Sequence, residues 1–131
     1  NRKVFKHDKI LGDRAFNKAI TFSNSILKNN NDLINTFLFP YTTETCTNDL
    51  IKKSYKVSKE LDIPLRTHFA QYKSEIEYTY KNYGKSPLER LKDLDILDNN
   101  LTLTHCIYLN KDLTIEKPDN LHKTLKDRGL K

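Results

Sequence analysis

Methionine and tryptophan are absent from the 131 residues, and glycine, proline and cysteine number only three, four and two. So few glycines and prolines exclude a collagen-like or low-complexity chain. The cysteines, Cys46 and Cys106, stand far apart with no C-x-x-C spacing, which argues against a zinc knuckle or a disulfide framework. Both read as free buried thiols in a reducing, cytoplasmic setting. No apolar run approaches the roughly 20 residues that span a bilayer, and the N-terminal stretch has no apolar signal-peptide core, so no membrane partner is expected. Without a methionine at its start, and stopping shortly after Lys126-Asp127-Arg128, the sequence reads as an excerpt from a longer chain.

What is abundant is charge. The 23 basic residues outnumber the 17 acidic ones for a net +6, a balance that suits an anionic partner such as nucleic acid. The arrangement opposes that reading, because lysines alternate with Asp, Glu and Asn along the whole chain and no arginine-rich stripe forms. A lysine-rich solvated surface is the expectation, with no nucleic-acid partner. The competing basic nucleic-acid-binding module would show steeply salt-dependent binding.

Apolar periodicity then gives the elements. Asp13 is placed to cap a helix with Phe16, Ala19, Ile20, Ser23, Ile26 and Leu27 on one face, ending in the run Asn29 to Asp32. A short apolar run over 34–39, closed by Pro40, suits a strand. Thr47 caps a second helix, with Leu50, Ser54, Tyr55, Val57, Ser58 and Leu61 on one side, and Asp62 and Pro64 stop it. A second strand follows over 65–69, then a helix carrying Ile76, Tyr80 and Tyr83 toward a core, with Gly84 as its C-terminal cap. Ser86-Pro87-Leu88-Glu89 has the form of a capping box with proline in the first turn. A third strand is read over 101–108, and a short helix over 120–127. Strands alternating with helices imply right-handed crossovers and a parallel sheet covered by helices.

Ligand sites in such folds lie beyond the C-terminal strand ends. His68 and His105 fall there, one unit apart. Alternation puts Arg66 and His68 on one strand face and Leu103 and His105 on one face of the next. If both are the inner face, the imidazoles stand roughly 5 to 8 Å apart. By itself this spacing is a weak sign of a metal site, since a strand-end histidine is more often an ordinary polar residue. His7 and His122 read as surface residues, and Tyr78, Tyr80 and Tyr83 as core and rim of a helix.

The residues around the histidines carry more. Phe39-Pro40-Tyr41-Thr42-Thr43-Glu44-Thr45-Cys46-Thr47, then His68-Phe69-Ala70-Gln71 with Glu75, then Tyr83-Gly84-Lys85-Ser86-Pro87 and Leu97, then Thr104-His105-Cys106 follow one another in a familiar order. In order and spacing, from Leu33 to Tyr108, they resemble the amidohydrolase superfamily. The nearest branch is the cyclic amidine group of deaminases, chlorohydrolases and triazine hydrolases. Residues 109–131 find no counterpart.

The resemblance implies a TIM barrel of which residues 1–131 are a fragment, about three parallel strands of the eight, the fourth to the sixth, with their helices. It implies that His68 ligates a divalent cation, Zn2+ or Fe2+, and that His105 is catalytic, touching the substrate or the reacting water. Water made nucleophilic at the metal would attack an sp2 carbon of a small heterocyclic substrate and release ammonia, an amine or a halide. A homo-oligomeric parent enzyme is compatible with it. Two departures bear on the substrate. Gln71 occupies the place of the glutamate in the family's His-x-x-Glu motif and can orient a ring nitrogen but not shuttle a proton. Tyr41, read as substrate-binding, stands where adenosine-type deaminases carry a histidine, which disfavours a nucleoside. Glu75 reads as an acid on the helix surface. The family's first-strand His-x-His pair and eighth-strand aspartate have no counterpart, so the chain alone is expected to be inactive. The rival reading is a non-catalytic interaction module of the same ancestry.

Overall fold

A computed structural model describes residues 6–29 and 31–109 of the chain. Six elements follow one another: α1 (Lys9–Lys28), α2 (Asn48–Glu60), β1 (Leu65–Phe69), α3 (Lys73–Tyr83), α4 (Pro87–Asp93) and β2 (Leu101–His105). The helix suggested over 120–127, and His122 with it, lies outside the described residues.

Local capping chemistry sets most of the helix limits. Thr47 accepts from the Leu50 amide at 3.2 Å and opens α2 as expected. Ser86 and Glu89 form the reciprocal capping box, at 3.1 and 2.7 Å, with Pro87 at the first helical position of α4. Gly84 closes α3 in the left-handed region, at φ 65°, where a side chain would be strained. α1 corrects the sequence reading, because its cap is Asp8, which accepts from the Leu11 amide at 2.9 Å. Asp13 lies inside the helix instead, bonded to Lys53 and Lys9, and these ammonium groups hold its carboxyl down at about 2. Ser86→Ala should cost the full-length protein about 1 kcal/mol, read as a lower urea midpoint, because the Glu89 amide loses its acceptor.

β1 and β2 are parallel, with Leu65 opposite Leu101 and Phe69 opposite His105. Along β1 the side chains alternate as the pleat requires: Leu65, Thr67 and Phe69 are buried, while Arg66 is exposed and His68 half-buried. The buried face packs with Ile51 of α2, Ile76 of α3 and Leu91 of α4, together with Ile63, Ile96, Leu97 and Leu101.

The expected first strand is not a regular one. Its backbone pairs with β1 through two isolated parallel bridges, Leu38 to Leu65 and Thr42 to His68, and forms no regular ladder. Four steps along this segment match three along β1, so one extra residue is accommodated between the bridges. The physical reason is Pro40, which has no N–H to give the ladder. Backbone bonds from Arg66 N to Leu38 O (2.9 Å) and His68 N to Tyr41 O (3.0 Å) flank the interruption. The order is still segment, β1, β2, all running the same way, but the sheet proper has two strands.

Candidate active site at the strand ends

His68 lies one residue before the end of β1, on the face opposite the helices, and its ring meets that of His105. The centroids are 4.8 Å apart at 29°, and Nε2 of His105 lies 2.9 Å from Nδ1 of His68. In the unprotonated pair, one of these nitrogens donates and the other accepts.

Strand alternation does not bring the two rings together. In the observed register Leu103 is opposite Thr67 and His105 is opposite Phe69, so regular alternation would send His105 to the helix side. Leu103 does pack against the core. His105 escapes because its backbone turns left-handed at φ 79°, and Cys106 follows at 53°. Such angles cost a non-glycine residue about 1–2 kcal/mol each. They are retained because the amides of Cys106 and Tyr108 donate to Phe69 O (3.0 Å) and Ala70 O (2.9 Å), lashing the end of β2 to that of β1.

Aromatic rings frame His68. Phe39 and Tyr41 meet it edge-on, at 4.9 and 5.0 Å between centroids, and Phe37 continues the row under Arg66. Tyr41 is 61% exposed, one edge of its ring on His68 and the rest open to solvent. Gln71 is half-buried, and its amide donates to the Tyr72 hydroxyl at 3.1 Å. The structure therefore gathers Tyr41, His68 and His105 into one cluster, with Gln71 on the turn directly after β1. His7 lies elsewhere, exposed, with Nε2 3.4 Å from the Glu44 carbonyl.

Sequence reasoning missed what lies beneath. Glu75 is not a surface acid: it is 1% exposed. Its carboxylate accepts from Thr43 Oγ1 (2.5 Å) and from the amides of Ala70 and Gln71 (both 3.0 Å). Burial pushes its pKa up, opposed by those hydrogen bonds and reinforced by the nearby Glu44 carboxylate. One signal was available, since Glu75 occupies the third position of α3, from which a glutamate reaches back to free amides. Arg90 is 2% exposed and donates to the carbonyls of Thr43 and Cys46 and to Asn48 Oδ1. Its spacing from Pro87, Leu91 and Leu94 put an arginine on an apolar helix stripe, a second legible sign.

The pair fits part of a metal centre. An unprotonated imidazole offers one lone-pair nitrogen to a divalent ion, so His68, its ring fixed against Phe39, Tyr41 and His105, is a chemically suitable ligand. Catalytic zinc takes three protein ligands, however, and among the described residues no group of three His, Cys, Asp or Glu side chains is placed to hold an ion. Nor is any described helix long and apolar enough to cross a membrane.

Comparison with known proteins agrees with the motifs. The model of the amidohydrolase family matches residues 13–130. A 5-methylthioadenosine/S-adenosylhomocysteine deaminase of Halalkalibacterium halodurans is 31% identical over 96 residues, which are 72% of this chain and 22% of that protein. The chain thus spans about a fifth of the length of the curated relatives it matches. Among solved structures, a zinc-bound adenosine deaminase from Xanthomonas campestris superposes with a TM-score of 0.76 at 20% identity, over 90% of this chain and 25% of that one. A triazine hydrolase from Arthobacter aurescens does so with a TM-score of 0.73 at 15% identity, over 91% and 24%. With its signatures in order, its fold shared with these structures and a family model covering nearly its whole length, the chain belongs to the amidohydrolase family.

Proposed function

We propose that the chain is part of a metal-dependent hydrolase that cleaves a carbon–nitrogen or carbon–halogen bond of a cyclic, nitrogen-rich small molecule. The observation that carries this reading is the contact of His68 with His105 at the strand ends of an amidohydrolase-family chain. Residues 1–131 are then a fragment of one catalytic (β/α)8 barrel, with the 34–42 segment, β1 and β2 in the places of its fourth, fifth and sixth strands.

His68 would hold a divalent zinc or iron ion, with His105 beside it on the substrate side and the remaining ligands coming from outside the described residues. Bound there, such an ion would supply a nucleophilic water at neutral pH and polarise the group under attack. His105 binds the substrate from the exposed side of the pair, where its ring nitrogen can take or return a proton. Tyr41 forms the aromatic rim against which a flat ring packs. Gln71 orients a ring nitrogen through its amide and carries no proton. The named relatives are nucleoside deaminases. Tyr41 and Gln71 favour a smaller heterocycle for this chain.

The test uses the full-length protein, assayed for metal content and for release of ammonia or chloride from adenosine, cytosine and amino- and chloro-triazines. A metal-free protein releasing neither would remove the hydrolase reading and favour the interaction module. Gln71→Glu asks more of the site: placing a proton carrier there should raise ammonia release from an aminated ring, while an unchanged rate puts Gln71 outside the chemistry.

A further inference from the structure

Behind the histidines, the Glu75 carboxylate joins two pieces of chain that approach His68 from different sides. Its Oε1 accepts from Thr43 Oγ1 and the Ala70 amide, and its Oε2 from the Gln71 amide. Thr43 belongs to the loop that begins with Tyr41, and Ala70 and Gln71 form the turn that leaves β1. Thr43 is gripped again from the far side, its carbonyl accepting from Arg90. Ala70 is left-handed at φ 47°, a conformation unfavourable for alanine that the two amide bonds to Glu75 hold in place. Three donors, all on backbone or hydroxyl groups of the site's own segments, meet two oxygens. That is the pattern an ionised carboxylate satisfies and an amide does not.

A buried acid is an expensive way to hold a helix end. An apolar side chain would pack α3 against the core with no desolvation cost, and Glu44 close by adds like-charge repulsion. What an apolar side chain would not do is fix the backbone of both segments at once. We propose that Glu75 is a positioning residue: its buried carboxylate ties the loop carrying Tyr41 to the turn carrying Gln71, and so sets where both side chains stand relative to His68. Glu75 itself does not touch the open face, since its hydrogen-bond partners are Thr43, Ala70 and Gln71. The kinetic part of the inference rests on the proposed function, whereas the geometric part does not.

Two near-isosteric variants of the full-length protein test it. Glu75→Gln turns an NH2 group toward a backbone N–H, and Thr43→Val removes one donor while keeping the shape. Amide hydrogen exchange of the 68–72 segment should accelerate in Glu75→Gln, and of the 41–45 segment in both variants. For adenosine or an amino-triazine hydrolysed by the wild type, kcat per metal-loaded molecule should fall about 100-fold in Glu75→Gln and less in Thr43→Val, with KM moving less than kcat. The double variant should be no slower than Glu75→Gln. Unchanged exchange in these segments would overturn the inference, as would a lowered melting temperature with kcat per metal-loaded molecule intact. Should Glu75→Gln fail to fold, Thr43→Val carries the same two readouts. A wild-type protein without hydrolase activity would sink the proposed function, and exchange alone would then decide the role of Glu75.

Discussion

Replacing His68 by alanine in the full-length protein is expected to leave it unable to retain a divalent metal through purification, with activity lost in step. His68 is the half-buried member of the pair, its ring wedged between Phe39, Tyr41 and His105, so its orientation is set before any ion arrives. A preorganised ligand contributes more to affinity than a mobile one, because no rotamer freedom is lost on binding. If a full set of protein ligands binds zinc with about 10–16 kcal/mol, one imidazole accounts for several kcal/mol, or more than about 100-fold in affinity. His105→Ala should separate from this. His105 is exposed and reached through a left-handed backbone, and its removal is expected to lower turnover while most of the metal stays. Elemental analysis of both purified variants beside the wild type checks the pair. Full metal retention by His68→Ala would refute its role as a ligand, and equal losses in the two variants would make His105 a second ligand.

The largest effect on stability is expected away from the histidines, at Arg90. Its guanidinium is planar, carries donors along three edges and finds an acceptor for each: Asn48 Oδ1 at 2.7 Å, Cys46 O at 2.8 Å and Thr43 O. It also lies over the Tyr83 ring, 4.0 Å from its centroid. Burial pulls its pKa down from the ordinary arginine value, yet an arginine in such surroundings stays protonated. Arg90→Ala leaves those acceptors facing a void. With hydrogen bonds to a charged group contributing about 1.5–3 kcal/mol each, and partial relaxation of the loop, the loss should reach about 3–5 kcal/mol. Arg90→Lys should recover little, because one ammonium group on a flexible stem cannot serve three acceptors spread around a plane. Urea unfolding of the full-length variants reads both, and a midpoint for Arg90→Ala within error of wild type would show that the clamp is dispensable.

The two expectations differ in how far the residues themselves announced them. His68 and His105 stood out because histidines at the ends of successive strands, inside an ordered set of motifs, are rare enough to notice. Their contact was inferred from alternation, and alternation fails at His105: the rings meet because the backbone leaves the strand conformation there. The 34–39 run was legible as extended chain running parallel to β1. Its demotion to two bridges followed from Pro40, whose missing N–H was visible but whose neighbour on β1 was not.

What the sequence by itself determined were features that depend on a few consecutive residues. Thr47, Ser86-Pro87-Glu89 and Gly84 set helix ends by hydrogen bonds and φ preferences that reach three or four positions, and the motif order identified the family. Asp13 shows where that locality stops: the helix starts five residues earlier at Asp8, and Asp13 sits inside it, bonded to Lys53, 40 residues on. Only the tertiary structure decided that Glu75 is buried beneath the site and that Arg90 holds its loop. Thr43, which both of them bind, is 32 and 47 residues away in the chain, and burial is a property of what packs around a side chain, not of the side chain. The same holds for the face that His105 presents, since the observed register with Phe69 would send it to the core and the left-handed turn at His105 and Cys106, held by the bonds to Phe69 and Ala70, brings it to His68.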